Sequence, residues 1–130
     1  MIDKVDYWIK LADYDIETAR AMLKSERFLY VGFMCHQAIE KATKAIISRD
    51  CKEGEIPPKI HDLSKLAVMA RVFDLMTEQQ QNFMDELNPL NIESRYPEYK
   101  DKIAEGLTKE NCGQLILKTE ELLCWIKKQL

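Results

Sequence analysis

Glycine and proline are scarce in this chain, with four of each in 130 residues. That excludes collagen-like, linker-like and low-complexity disordered classes. Histidine is scarcer still: His36 and His61 are the only two. Neither completes the Glu-x-x-His spacing of di-iron bundles or the HExxH of zinc peptidases. The four cysteines, Cys35, Cys51, Cys112 and Cys124, form no CxxC pair. This argues against a zinc knuckle or a redox motif, and reduced thiols are expected, with Cys35 and Cys124 inside apolar stretches. The glycines are isolated, so no Gly-rich phosphate loop exists, and no Ser or Cys stands in a nucleophile elbow. Excess positive charge is lacking too. Lys plus Arg is 19 against 22 for Asp plus Glu, a net charge of −3. A protein held to DNA mainly by overall charge is thereby disfavoured, while a local basic pocket is not. The longest uncharged run, Phe28 to Ile39, is 12 residues, against the roughly 20 a membrane helix needs. Met1 to Asp6 is charged and carries no apolar signal core. A cytoplasmic location without membrane contact is expected.

What the chain does have is helical periodicity nearly throughout. A hydrophobic fraction of 46% can fill one core, and the length suits a single domain over 1–130. Asp3 is positioned to cap a first helix to about Glu26, with Trp8, Ile9, Leu11, Ala12, Ile16, Ala19 and Leu23 at three- and four-residue steps. A second helix is predicted from Phe28 to about Ser48. Gly54 and Pro57-Pro58 break the pattern, and Asp62 looks like the cap of a third helix. Thr77 and Gln80 fit a capping box for a fourth, in which Pro89 falls late. Glu93 to Tyr99 reads as a polar, aromatic connection. A short helical piece from Asp101 to Glu105 is expected to stop at Gly106, and a last helix to run from about Lys109 to Gln129. No strand-like alternation appears. The fold class expected is all-α, an antiparallel up-and-down bundle of about five helices.

Few residues carry chemistry. Asp13-Tyr14-Asp15 has the look of a carboxylate pair, but residues two apart on a helix diverge, so a solvated face is expected there rather than a metal site. On the second helix His36, Gln37, Glu40, Lys41 and Lys44 form a polar stripe, with Met34, Ala38, Ala42 and Ala45 on the opposite side. Glu40 precedes Lys44 by four residues, the favourable order for an ion pair. The stripe reads either as a solvated face or as a cationic, amide-bearing patch for a phosphate or a base edge. His61 stands one residue before the cap Asp62. Arg95 lies between helices, flanked by Tyr96 and Tyr99. Arginine suits bidentate phosphate binding and tyrosine suits base stacking. The plain alternative is a Tyr-Pro turn with Arg95 paired to Glu93 or Glu98.

Four segments taken in order, Trp8 to Ala21, His36 to Ala45, Pro57 to Leu63, and Ser94-Arg95-Tyr96-Pro97, resemble a HEPN domain (higher eukaryotes and prokaryotes nucleotide-binding). The resemblance spans roughly Tyr7 to Ile126. It implies an up-and-down helical bundle that commonly forms homodimers and is often encoded beside a minimal nucleotidyltransferase, as one half of a toxin–antitoxin-like system. Many relatives are metal-independent ribonucleases with an Arg followed by four to six residues and then a His. Here Lys100, Asp101 and Lys102 stand where that His would be after Arg95, so the ribonuclease motif is missing. The reading that results is a non-catalytic nucleotide- or RNA-phosphate-binding module without a cofactor. Gln37, Lys41 and Lys44 line a wall, Arg95 binds phosphate, Tyr96 or Tyr99 stacks, and His61 donates or accepts a hydrogen bond. Glu40 and Asp62 are assigned structural roles. The rivals are a ribonuclease with a displaced His and a helical scaffold dimer without a small ligand. Trp8 and Trp125, if exposed, are candidates for a dimer interface.

Overall fold

The first helix starts where a carboxylate can cap it. Asp3 accepts hydrogen bonds from the amides of Val5 and Asp6 at 3.0 and 3.4 Å, and α1 runs Lys4–Lys24. It ends without a glycine. Glu26 takes a left-handed φ of 61° while the Arg27 amide reaches back to the Met22 carbonyl at 2.8 Å, the double closure of a Schellman ending. The chain turns at once into α2, Phe28–Asp50. The computed structural model describes residues 3–92 and 97–130, and these contain six α-helices and no strand. After a loop through Gly54, whose φ is 86°, Asp62 accepts from the Lys65 amide at 3.1 Å and opens α3, Leu63–Met69. A 3-10 turn at Phe73–Leu75 leads to α4, Glu78–Leu87, which carries the full Thr77–Gln80 capping box. Pro89 then falls in a 3-10 turn, Asn88–Leu90. Next come α5, Pro97–Glu105, and α6, Lys109–Lys128. The expected connection through Tyr99 is corrected, since Pro97 is the first residue of α5 and Tyr99 is helical. A proline suits a first turn, where its missing N–H costs nothing.

The pairing pattern gives the helix directions. Between α1 and α6, Asp13 meets Lys127 and Arg20 meets Glu120, so these two are antiparallel. The three-residue link makes α1 and α2 an antiparallel hairpin. Between α2 and α6, the Phe28 carbonyl faces Cys112, and Arg49 donates to the Gln129 carbonyl at 2.8 Å. Those two helices are therefore parallel, with α3, α4 and α5 carrying the chain back between them. The result is an all-α helical bundle. Its centre is α2, buried nearly all round: Val31, Cys35, Ala38, Ile39, Ala42, Ala45 and Ile46 are wholly hidden. Small residues at Ala12 and Ala19 of α1 and at Ala38, Ala42 and Ala45 of α2 are fully buried, and small side chains allow neighbouring backbones to approach closely. At Gly32 an added Cβ would lie 3.3 Å from the Leu90 side chain and 3.4 Å from that of Leu107. Trp8 and Trp125 are both half-buried.

Candidate functional site

A helix buried on every side must also bury its polar residues, and α2 does so. The stripe read as a surface feature is corrected here. His36 is completely buried, and the Glu40 and Lys44 side chains keep 5% and 8% exposure. A charge removed from water persists only when it is paired and hydrogen-bonded. Lys44 Nζ donates to Glu40 Oε2 at 3.1 Å along the helix and sits 5.9 Å from the centre of the Trp8 ring on α1, within range of a cation–π contact. Lys41 Nζ donates to Asp15 Oδ2 of α1 at 2.5 Å. Asp15 is itself buried, which overturns the solvated face expected of the Asp13-Tyr14-Asp15 segment. Asp13 points elsewhere, to Lys127 Nζ at 2.6 Å. The two carboxylates diverge, as their two-residue spacing requires.

The loop before α3 brings the second histidine to this network. His61 Nδ1 lies 3.0 Å from Glu40 Oε1. The His61 backbone carbonyl accepts from His36 Nε2 at 3.1 Å, and the Gln37 amide lies 3.5 Å from His36 Nδ1. Both histidines of the protein thus belong to one cluster. His36 and Glu40, one helical turn apart on α2, hold His61 by its main chain and by its ring. Asp62 stays with the α3 cap and Leu63 N donates to Asn88 Oδ1 at 2.8 Å, so the chain is tied down immediately after His61. The His61 ring keeps 57% exposure, while Gln37 and Lys41 are half-buried. Together these three form the solvent-facing edge of a buried charged cluster.

Tyr99 lies on α5, which packs against α2, and is 43% exposed. Arg95 and Tyr96 lie outside the described residues. Two clefts occur elsewhere. One, of about 580 Å³, runs between α4 and α6 over Phe83 and Leu122. The other, of about 420 Å³, continues from it past Leu90 and Ile103 and shares Glu86 and Lys118 with the first. None of Gln37, Lys41, Lys44, His61 and Tyr99 lines either. Among the described residues no group of three His, Cys, Asp or Glu side chains could hold a metal ion. No helix there is long and apolar enough to cross a membrane. Of the cysteines, Cys35 and Cys112 are buried, and Cys124, although its sequence neighbours are apolar, is exposed. Burial pushes the Cys35 thiol up to about 12 from an ordinary 9.0.

The sequence reading missed Asp15 and underrated His36. A usable signal existed. Ala12, Asp15, Ile16 and Ala19 follow the three- and four-residue steps of a core stripe, so a carboxylate at 15 had to face inward and find a cation.

An all-α bundle whose central helix carries a buried acid–base cluster is the class of protein this fold and site define. The HEPN domain model matches residues 5–129, and the chain belongs to the HEPN family. Among solved structures it is similar to TT1696 from Thermus thermophilus, at 17% identity and a TM-score of 0.78, with 99% of this chain and 100% of that one covered. It is also similar to ST0689, an archaeal HEPN homologue, at 22% identity and a TM-score of 0.64, with 96% of each chain covered. At such identities the likeness is one of fold. No curated protein matches the chain.

Proposed function

We propose that this chain is a non-catalytic HEPN module that binds a nucleotide or an RNA phosphate, and that it partners a separately encoded nucleotidyltransferase in a toxin–antitoxin-like pair. The observation that carries the reading is the edge formed by Gln37, Lys41 and His61 over the buried Glu40–Lys44 pair. It offers an amide, an ammonium and an imidazole side by side, each anchored from beneath. Lys44 contributes indirectly, because its charge is committed to Glu40 and hidden from solvent. In this reading Lys41, which is paired with Asp15 but keeps 22% exposure, meets the phosphate together with Arg95, and Tyr96 or Tyr99 stacks on the base. The module works as a homodimer.

Thermal shift with ATP, GTP and short RNAs tests the reading, because a ligand that binds only the folded state raises its apparent stability. At a hundredfold excess over Kd the gain is about 2.7 kcal/mol. Arg95→Ala and Lys41→Ala are expected to reduce the shift while leaving the unliganded chain folded. Metal-independent RNA cleavage abolished by His61→Ala would replace this reading with a ribonuclease. A homodimer that binds none of the three would leave a scaffold.

A further inference from the structure

We infer that Glu40 fixes the neutral ring of His61 so that its Nε2 is a hydrogen-bond acceptor, and that this nitrogen reads a sugar hydroxyl of the bound nucleotide rather than its phosphate. The inference rests on the nucleotide-binding reading for its ligand and on the cluster's geometry for its direction.

The argument begins at Lys44. An ammonium only donates, so Glu40 Oε2, 3.1 Å from Lys44 Nζ, is held as an acceptor. The other oxygen, Oε1, lies 3.0 Å from His61 Nδ1. A carboxylate accepts, so the proton between them sits on Nδ1. A neutral imidazole has one N–H, and which nitrogen carries it is set by the hydrogen bond made by the other. In the neutral ring Nε2 is therefore left with its lone pair. The ring is 57% exposed, and the His61 main chain is held by His36 Nε2 at 3.1 Å. This makes an acceptor at the solvent edge, held by its ring and by its own main chain.

Such an acceptor discriminates among the parts of a nucleotide. Phosphate oxygens are acceptors and carry negative charge, so they gain nothing from a lone pair backed by a carboxylate. They belong at Lys41. A sugar hydroxyl can donate, and it is the group that separates ribose from deoxyribose. Glu40 is a positioning residue in this scheme and His61 is the residue that touches ligand.

A substitution can reverse the polarity. In Glu40→Gln the ammonium of Lys44 must still take an acceptor, so it captures the amide oxygen. The amide NH2 then faces His61 Nδ1 and donates to it, and the imidazole proton moves to Nε2. The exposed nitrogen becomes a donor.

The test compares ATP, 2′-deoxy-ATP, 3′-deoxy-ATP and inosine triphosphate by calorimetry on the whole chain, together with ¹⁵N NMR of the imidazoles. At alkaline pH, with the ring neutral, the wild-type His61 proton is expected on Nδ1. Loss of one hydroxyl is expected to weaken binding about tenfold, the worth of one buried hydrogen bond left unmade. In His61→Ala the four ligands differ less than about twofold. In Glu40→Gln the proton is expected on Nε2 and the preference for hydroxyl is lost. If Glu40→Gln fails to fold, the wild-type NMR and His61→Ala still decide the matter. Wild-type protein with the proton on Nε2, or with equal affinity for ATP and both deoxy analogues, overturns the inference and leaves nucleotide binding standing. A preference set by the base amine, with inosine triphosphate alone weakened, overturns it as well. A wild type that binds none of the four sinks the nucleotide reading and the hydroxyl reading together.

Discussion

Asp15–Lys41 and Arg20–Glu120 both tie α1 to a neighbouring helix, and both pair a carboxylate with a cation. Their surroundings differ. Asp15 is buried, as are Glu40 and Lys44 of the other inner pair, whereas Arg20 and Glu120 keep 49% and 36% exposure. The outer pair trades one set of water contacts for another, and its strength is diluted by solvent and salt. The inner pairs have given up water, so each member depends on its partner. The same residue types therefore have opposite meanings in the two regions. Outside, they decorate a packed bundle; inside, they constrain which side chains the bundle will accept.

Glu40→Ala should give the largest effect. It strands Lys44 in the interior and frees His61, and the expected cost is about 3–5 kcal/mol by urea denaturation. Replacing Glu40 and Lys44 together by methionine should recover most of that loss. A single substitution costing under about 1 kcal/mol would erase the distinction between inner and outer pairs. Asp15→Ala comes next, at about 1–3 kcal/mol, because Lys41 is half-buried and can swing its ammonium toward water.

An alkaline titration sharpens the comparison by a different group. The Cys35 thiol is raised by burial to about 12 from 9.0, so the folded state holds its proton longer than the unfolded chain does. That contribution is fully present below pH 9 and is lost as pH climbs from 9 toward 12. Stability should fall over that window, and fall less steeply in Cys35→Ala. Cys112 is also raised by burial and accounts for part of the remaining slope. Arg20→Ala should do least, under about 1 kcal/mol. A larger loss that persists in high salt would show the outer pair to be more than a surface contact.

Much of the framework was legible along the chain. Asp3, Asp62, Thr77 and Gln80 cap the helices that their spacing announced, because a cap is a local bargain between one side chain and the next few amides. The end of α1 was placed two residues late, since Glu26 and not a glycine adopts the left-handed turn. The start of α5 was missed because Pro97 reads equally well as a loop residue and as a first-turn residue. The shared stripe of His36, Gln37, Glu40, Lys41 and Lys44 is legible in their spacing, but the burial of His36, Glu40 and Lys44 is not. Helical spacing says which residues share a face, and it says nothing of what will cover that face.

Taken alone, the sequence determined the helices, most of their caps, the single core and the grouping of polar residues on α2, because these follow from contacts a few residues long. Tertiary structure decided the rest. It set α6 parallel to α2, enclosed α2 on all sides, and brought Asp15 to Lys41 across 26 positions and His61 to Glu40 across 21. The reason is physical: a polar stripe is equally stable on a surface or in an interior that supplies partners, and only the packing of distant segments supplies them.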